Sequence, residues 1–243
     1  MLSLRPVAQH APLRGAAAAH GARVLGLSPW RLQTLDDPAT CEGLHAALAG
    51  DRVVFTSPAA VRSAASLQAL RARHGQAWFA VGAGTAAALR RAGIADAVAP
   101  TRMDSEGLLA LPGLQDVGGH AIGLVTAAGG RDIIAPTLRQ RGARVLRADV
   151  YARIAIKPSP RAINVLRGLH APAWLMLSSG AALEQLLATL PADAIAALRS
   201  AHVVAASDRL ARLAQSHGFS RIVVAASAMP RDLVDAAARG ALA

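Results

Sequence analysis

Hydroxyl side chains recur where apolar runs give way to helical patterns: Thr56 and Ser57, Thr85, Ser105, Ser178 and Ser179, and Ser207. Such a turn aims free backbone N–H groups and the positive end of a helix dipole at one point, which suits a carboxylate or phosphate. The same residues serve equally as plain helix caps. Gly129-Gly130-Arg131 follows the apolar run 121–126. Its glycines either let backbone approach an anion that Arg131 pairs with, or form a turn carrying a surface arginine. Tyr151 is the one tyrosine of the chain, within Val150-Tyr151-Ala152-Arg153. Its phenol is either a buried ring with a satisfied hydroxyl or a proton donor to a leaving group.

Other chemistries find less support. The eight histidines are isolated from one another, with no His-x-His or His-x-x-x-His pair, so no metal is expected. Gly-x-Ser-x-Gly is absent, and no His and Asp pair accompanies Ser57 or Ser179. Gly82-Ala83-Gly84-Thr85-Ala86-Ala87 follows a strand pattern, opens a helix and loosely matches a dinucleotide fingerprint, with Asp104 near the expected acidic position. Against a nicotinamide-dependent oxidoreductase, the match sits on a middle strand. Its counterpart later in the chain, Ser207-Asp208-Arg209-Leu210, has no glycine.

Composition narrows the partners. The 243 residues are 53% hydrophobic and 17% charged, enough for two modest cores or one large one. Arg, Asp, Gly or Pro interrupts every apolar run before it could span a bilayer. The opening residues lack the order of a signal peptide, and Cys41 is a lone thiol, so the cytoplasm is the expected compartment. The net charge of +11 is almost wholly arginine, Lys157 being the one lysine. Either nucleotide bias produced it or it attracts an anionic partner. Nucleic acid fits poorly, because aromatic residues are 3% of the chain and the arginines are scattered. A small polyanion fits better, and a monomer is the default.

These residues are positioned by an internal repeat. Gly21-Ala22-Arg23-Val24-Leu25 recurs unchanged as Gly142-Ala143-Arg144-Val145-Leu146. Val53-Val54-Phe55-Thr56-Ser57 is echoed by Leu175-Met176-Leu177-Ser178-Ser179, and Gly82 through Gly93-Ile94 by Ser207 through Gly218-Phe219. The offsets are nearly equal, so one series of elements is met twice. In the first copy, residues 53–55, 79–81 and 96–99 read as strands, with helices over 59–70 and 85–91 and another opening at Ser105. In the second, 174–177, 203–206 and 221–225 read as strands, with helices opening near Ser179, Ser207 and Pro230.

Alternating strands and helices predict an α/β fold of two similar parallel-sheet domains. The proline-bearing stretches 27–38 and 148–160 read as connections rather than core.

The order and spacing of Arg5-Pro6, Phe55-Thr56-Ser57-Pro58, Val81-Gly82-Ala83-Gly84-Thr85, Ser105-Glu106-Gly107, Gly129-Gly130-Arg131, Val150-Tyr151-Ala152-Arg153, Leu177-Ser178-Ser179-Gly180 and Ala206-Ser207 resemble the uroporphyrinogen-III synthase family over essentially the whole chain. Leu4 stands before Arg5-Pro6, where Thr or Ser is common. The resemblance implies a discontinuous domain of residues 1–28 and 159–243, an inserted domain of 40–146, and linker strands 29–39 and 147–158, with the active site in the interdomain cleft. It implies cyclisation of hydroxymethylbilane to uroporphyrinogen III with inversion of ring D, without cofactor or metal. Tyr151 would assist departure of the hydroxyl. Arg5, Thr56, Ser57, Gly82, Thr85, Ser105, Gly129, Gly130, Arg131, Ser178, Ser179, Gly180 and Ser207 would hold the linear tetrapyrrole. Hydroxymethylbilane synthase is a transient partner the resemblance allows; nucleic acid and membrane are not expected. A Rossmann-type oxidoreductase and a non-enzymatic two-domain polyanion binder remain the alternatives.

Overall fold

Short apolar runs alternating with amphipathic segments fold into two separate five-stranded sheets. The structure, a computed structural model, describes residues 1–129, 133–169 and 173–240. It opens with β1 (Leu2–Ser3), α1 (Ala11–Ala18), β2 (Leu25–Gly26), β3 (Trp30–Thr34) and α2 (Pro38–Leu48). Next come β4 (Arg52–Phe55), α3 (Pro58–Leu67), β5 (Ala77–Ala80), α4 (Ala83–Arg91), α5 (Ser105–Leu109), β6 (Ala121–Ala127) and α6 (Ile134–Gln140). The remainder is β7 (Arg144–Ala155), α7 (Pro160–Arg167), β8 (Trp174–Leu177), α8 (Gly180–Leu187), α9 (Ala192–Arg199), β9 (His202–Ala205), α10 (Asp208–Ser216), β10 (Ile222–Val224) and α11 (Pro230–Gly240).

The chain divides into two compact units, Met1–Arg31 with Ile154–Ala243, and Leu32–Arg153. The first carries the sheet ordered β10-β9-β8-β1-β2, the second the sheet ordered β3-β7-β6-β4-β5. Residues 29–39 and 147–158, set apart in the sequence as linker strands, contain β3 and most of β7. Both strands belong to the second sheet, where β7 pairs with β6 from Ala121↔Arg144 onward. The prolines that mark a connection, Pro158 and Pro160, come after β7 has ended. Leu27, within the stretch read as a connection, is fully buried.

Strand order explains the repeat. The series β9-β8-β1-β2 in one sheet matches β5-β4-β6-β7 in the other. Since β1-α1-β2 opens the first unit while β6-α6-β7 closes the second, the copies are circularly permuted. Residues 96–99, expected as a strand, contribute a single parallel bridge, Phe79↔Val98, where the first unit has β10.

The repeated glycines end helices in the same way. Gly21 and Gly142 have φ of 65° and 84°, and Ala22 N and Ala143 N reach back to Ala17 O and Leu138 O, each at 3.0 Å. Gly93 and Gly218 repeat this pattern, with Ile94 N on Leu89 O and Phe219 N on Ala214 O. These six-to-one bonds around a left-handed residue satisfy carbonyls that a helix end leaves orphaned.

Both sheets are covered on both faces, as parallel sheets require. Along β4, Val53 and Phe55 join one core and Val54 the opposite one. Along β8, Leu175 and Leu177 face one core while Trp174 and Met176 face the other. Phe55 stacks on Trp78 with ring centroids 5.7 Å apart. Among the described residues, no helix is long and apolar enough to cross a membrane.

Candidate functional site

In the second unit, β4 ends at Phe55 and the chain turns through Thr56 and Ser57 into α3. Ser57 Oγ accepts the N–H of Ala60 at 3.0 Å, with Pro58 in the first helical turn, as its N-cap reading predicts. The same oxygen lies 3.1 Å from the phenol oxygen of Tyr151. Tyr151 reaches this place through an irregularity of β7: Thr126 pairs with Asp149 but Ala127 with Tyr151. An extra residue of this kind lets consecutive side chains serve one face. Val150 and Tyr151 accordingly both join the core beside Phe55.

A cavity of about 190 Å³ opens here, lined by Thr56, Ser57, Ser105, Thr126 and Tyr151 with Arg147 and Arg153. Thr56 Oγ1 donates to Thr126 Oγ1 at 2.7 Å, joining the ends of two neighbouring strands. Arg147 is held by Asp149, Nε to Oδ1 at 3.0 Å and to Oδ2 at 3.2 Å. The cavity thus offers five hydroxyls and two guanidinium groups, a set that binds carboxylate oxygens and can pass a proton through the Ser57–Tyr151 contact.

Four predicted residues, Thr56, Ser57, Ser105 and Tyr151, meet in this cavity. Ser105 lines it as the first residue of α5, whose N-cap is Asp104: its Oδ1 accepts Gly107 N–H at 2.7 Å. Asp104 is also held by Arg102 Nε at 2.6 Å. Burial pushes the Asp104 carboxyl up, but the Gly107 N–H and the Arg102 guanidinium outweigh it and hold the group below its ordinary range. An acid engaged this way is a helix cap rather than a ribose ligand.

Thr85 is a correction: it sits inside the first turn of α4 and is buried, so it presents no hydroxyl at a turn. At Gly82 a Cβ would lie 3.0 Å from Met103 Cβ, so the glycine accommodates that side chain. Strand β5 also lies at an edge of the sheet. A dinucleotide site requires an uncovered glycine turn at a strand-order reversal, and neither condition holds. Gly129 is exposed, with φ of 73° and nothing within 4 Å of an added Cβ. Gly130 and Arg131 lie outside the described residues.

The remaining predicted residues lie in the first unit, at the carboxyl ends of three neighbouring strands: Arg5 beyond β1, Ser178 and Ser179 beyond β8, Ser207 beyond β9. Ser179 accepts Ala182 N–H at 3.3 Å and Ser207 accepts Leu210 N–H at 3.4 Å, so both cap helices. At Gly180 a Cβ would lie 2.6 Å from Leu213 Cδ2, the end of a side chain that can turn aside. An open hollow of about 660 Å³ beside α10 and β10 is lined by none of the predicted residues.

Sequence reasoning did not single out Thr126, Arg147 or Arg153. The repeat held a signal for Arg147: continuing the Gly21–Gly142 correspondence puts Gly26 opposite it, so a long cation replaces a glycine in one copy. Among the described residues, no group of His, Cys, Asp and Glu is placed to hold a metal ion.

Fold and site together define a duplicated parallel-sheet α/β protein with a hydroxyl- and arginine-lined cavity. A family model described as "Uroporphyrinogen-III synthase HemD" matches residues 11–235. Uroporphyrinogen-III synthase of Salmonella typhimurium is 31% identical over 230 residues, 88% of this chain and 92% of that protein. The Escherichia coli enzyme is 33% identical over 153 residues, and the match spans 62% of each chain. Two solved structures share the fold: a mutant uroporphyrinogen III synthase of Thermus thermophilus, with TM-score 0.62, 20% identity and 99% and 98% of the two chains covered, and uroporphyrinogen-III synthetase of Helicobacter pylori, with TM-score 0.63, 14% identity and 98% and 97% covered. The chain belongs to the uroporphyrinogen-III synthase family.

Proposed function

We propose that the chain closes hydroxymethylbilane into uroporphyrinogen III, inverting ring D and releasing water. The observation that carries this reading beyond family membership is the Ser57–Tyr151 contact at the wall of a cavity rich in carboxylate-binding groups. The bilane bears eight carboxylates, and a chain of net charge +11 attracts it.

In this reading Tyr151 gives its proton to the hydroxyl on the hydroxymethyl carbon. The C–O bond breaks, water leaves, and the adjoining pyrrole becomes an electrophilic azafulvenium cation. The substituted carbon of ring D attacks to form a spiro intermediate, which fragments and recloses with ring D turned over. Loss of the last carbon-bound proton restores the pyrrole, and the Tyr151 oxygen takes that proton back. Ser57 O–H, donating to the phenol oxygen, supports the charge that gathers there between the two transfers.

Ligand pockets for whole small molecules hold about 300–1,000 Å³. A cavity of about 190 Å³ therefore suits one end of the bilane, with Arg147, Arg153 and the Thr56–Thr126 pair on its carboxylate arms. In the first unit, the turns at Arg5, Ser179 and Ser207 remain candidates for carboxylate binding. Catalysis then consists largely of holding a flexible chain in one fold and suppressing the uninverted closure that occurs freely. We place the reaction in the cytoplasm, where a lone thiol such as Cys41 stays reduced, with a monomeric enzyme and hydroxymethylbilane synthase as transient donor of substrate.

The test is to generate hydroxymethylbilane in situ, add the protein, and separate the oxidised uroporphyrin isomers. Excess isomer III is expected. An isomer ratio equal to that without protein overturns the reading and leaves a polyanion-binding protein.

A further inference from the structure

The first unit contains a buried polar cluster with no part in the chemistry above. His10 is 6% exposed, Ser3 fully buried and Ser28 9% exposed. Nδ1 of His10 lies 2.9 Å from Ser3 Oγ, and Nε2 lies 2.9 Å from Ser28 Oγ. Both ring nitrogens are thus committed, one to the end of β1 and one to the segment after β2. The ring needs the space above Gly26, where a Cβ would lie 2.7 Å from Nε2.

Between β1 and this anchor runs the turn 5–10. Gln9 N donates to Pro6 O at 3.0 Å and Val7 N to Trp30 O at 3.1 Å. Inside it, Ala8 has φ of 63°, the one positive value at a non-glycine among the described residues. An alanine there is strained where glycine would not be, and such strain persists only when the surroundings over-determine the turn. Arg5 opens the turn. Its guanidinium is half-buried and finds no hydrogen-bond or ion-pair partner among the described residues. A desolvated, unpartnered cation is costly unless an anion arrives to pair with it.

We propose that turn 5–10 is a rigid mount that holds Arg5 for a substrate carboxylate, with Ala8 and His10 as positioning residues. The His10 clamp fixes both ends of the turn, and Ala8 narrows the conformations available between them. The proposal rests on the synthase reading.

The experiment compares wild type with Ala8→Gly, His10→Gln, Arg5→Gln and the Arg5→Gln/Ala8→Gly double variant, by melting temperature and by KM and kcat for isomer III formation. Ala8→Gly relieves strain while raising unfolded-chain entropy, so its melting temperature should match wild type or exceed it by about 1–4 °C. Its KM should nonetheless rise about three- to tenfold with kcat nearly unchanged. Arg5→Gln should raise KM about tenfold, and adding Ala8→Gly to it should change KM no further. His10→Gln keeps a donor and an acceptor and should show a smaller KM rise than Ala8→Gly. A KM within twofold of wild type in Ala8→Gly overturns the proposal. So does a further KM rise when Ala8→Gly is added to Arg5→Gln, or a KM rise in Ala8→Gly that comes with a lowered melting temperature. Failure of the wild type to form excess isomer III overturns the synthase reading instead.

Discussion

The phenol oxygen of Tyr151 stands 3.1 Å from Ser57 Oγ while that oxygen also accepts the Ala60 N–H at 3.0 Å. A serine hydroxyl has one proton and two lone pairs. With one lone pair on Ala60, its proton can point at Tyr151, which leaves the phenol's own proton for the cavity. Tyr151→Phe removes that proton and little else. Turnover to isomer III should fall about a hundredfold, within the range of general acid catalysis, with KM nearly unchanged. Stability should drop by no more than about 1.5 kcal/mol. Isomer chromatography beside a thermal melt checks both; full turnover in the variant would remove Tyr151 from the chemistry.

Ser57 carries two duties that a pair of variants can separate. Ser57→Ala loses the cap of α3, about 0.5–2 kcal/mol, and also the support of the phenol. Ser57→Thr keeps an oxygen for both. Turnover should fall in the alanine variant and return in the threonine one. Equal turnover in all three would leave Ser57 as a cap alone.

Gly123 sits in β6 where α2 comes closest. A Cβ there would lie 1.8 Å from Ala47 O and 2.6 Å from Ala47 C, both backbone atoms that cannot step aside. Gly123→Ala must push α2 off the sheet and should cost at least about 3 kcal/mol. Urea unfolding should show a lowered midpoint. An unchanged midpoint would mean that α2 has slack the packing does not show.

Local rules made much of this fold legible. Residues 174–177 form the strand their apolar run predicted, and Ser57, Ser179 and Ser207 cap helices as their positions before helical patterns required. The repeated glycines foretold matched helix ends because φ > 0 is a local demand. Pairing is not local. Residues 96–99 look like a strand yet keep one bridge, and 148–160 look like a connection yet carry most of β7, because neighbours in the sheet decide each outcome. The site divides the same way. Thr56, Ser57 and Tyr151 stood out by type or position, but Thr126 was hidden inside an apolar run until β4 and β6 set it 2.7 Å from Thr56. Thr85 misled because a hydroxyl near a helix start can lie on the buried side.

Salt offers a test of how the bilane is gathered. With 26 Lys and Arg against 15 Asp and Glu, the chain attracts a polycarboxylate over distances that ions screen. Raising ionic strength from about 0.02 to 0.3 M shortens that reach several-fold and should lower kcat/KM about tenfold, mostly through KM. Activity independent of salt would point to neutral main-chain donors as the dominant contacts.

Acid stability should report on His10. Burial, then the charges of Arg14 and Arg5, holds its imidazole below the ordinary value near 6.5. The fold therefore favours neutral His10, whereas the unfolded chain takes up a proton first as pH falls. The stability tied to this group is fully present above about pH 6.5 and is lost as pH drops through the lowered folded value. The carboxyls of Asp37, Asp51, Asp104 and Asp193 are also held low, but they start from the carboxylate range near 3.8 and act in a more acidic window. Between about pH 7.5 and 5.5, the melting temperature of the wild type should fall further than that of His10→Gln, which has no proton to bind there. Parallel falls in the two proteins would place the acid-sensitive group elsewhere.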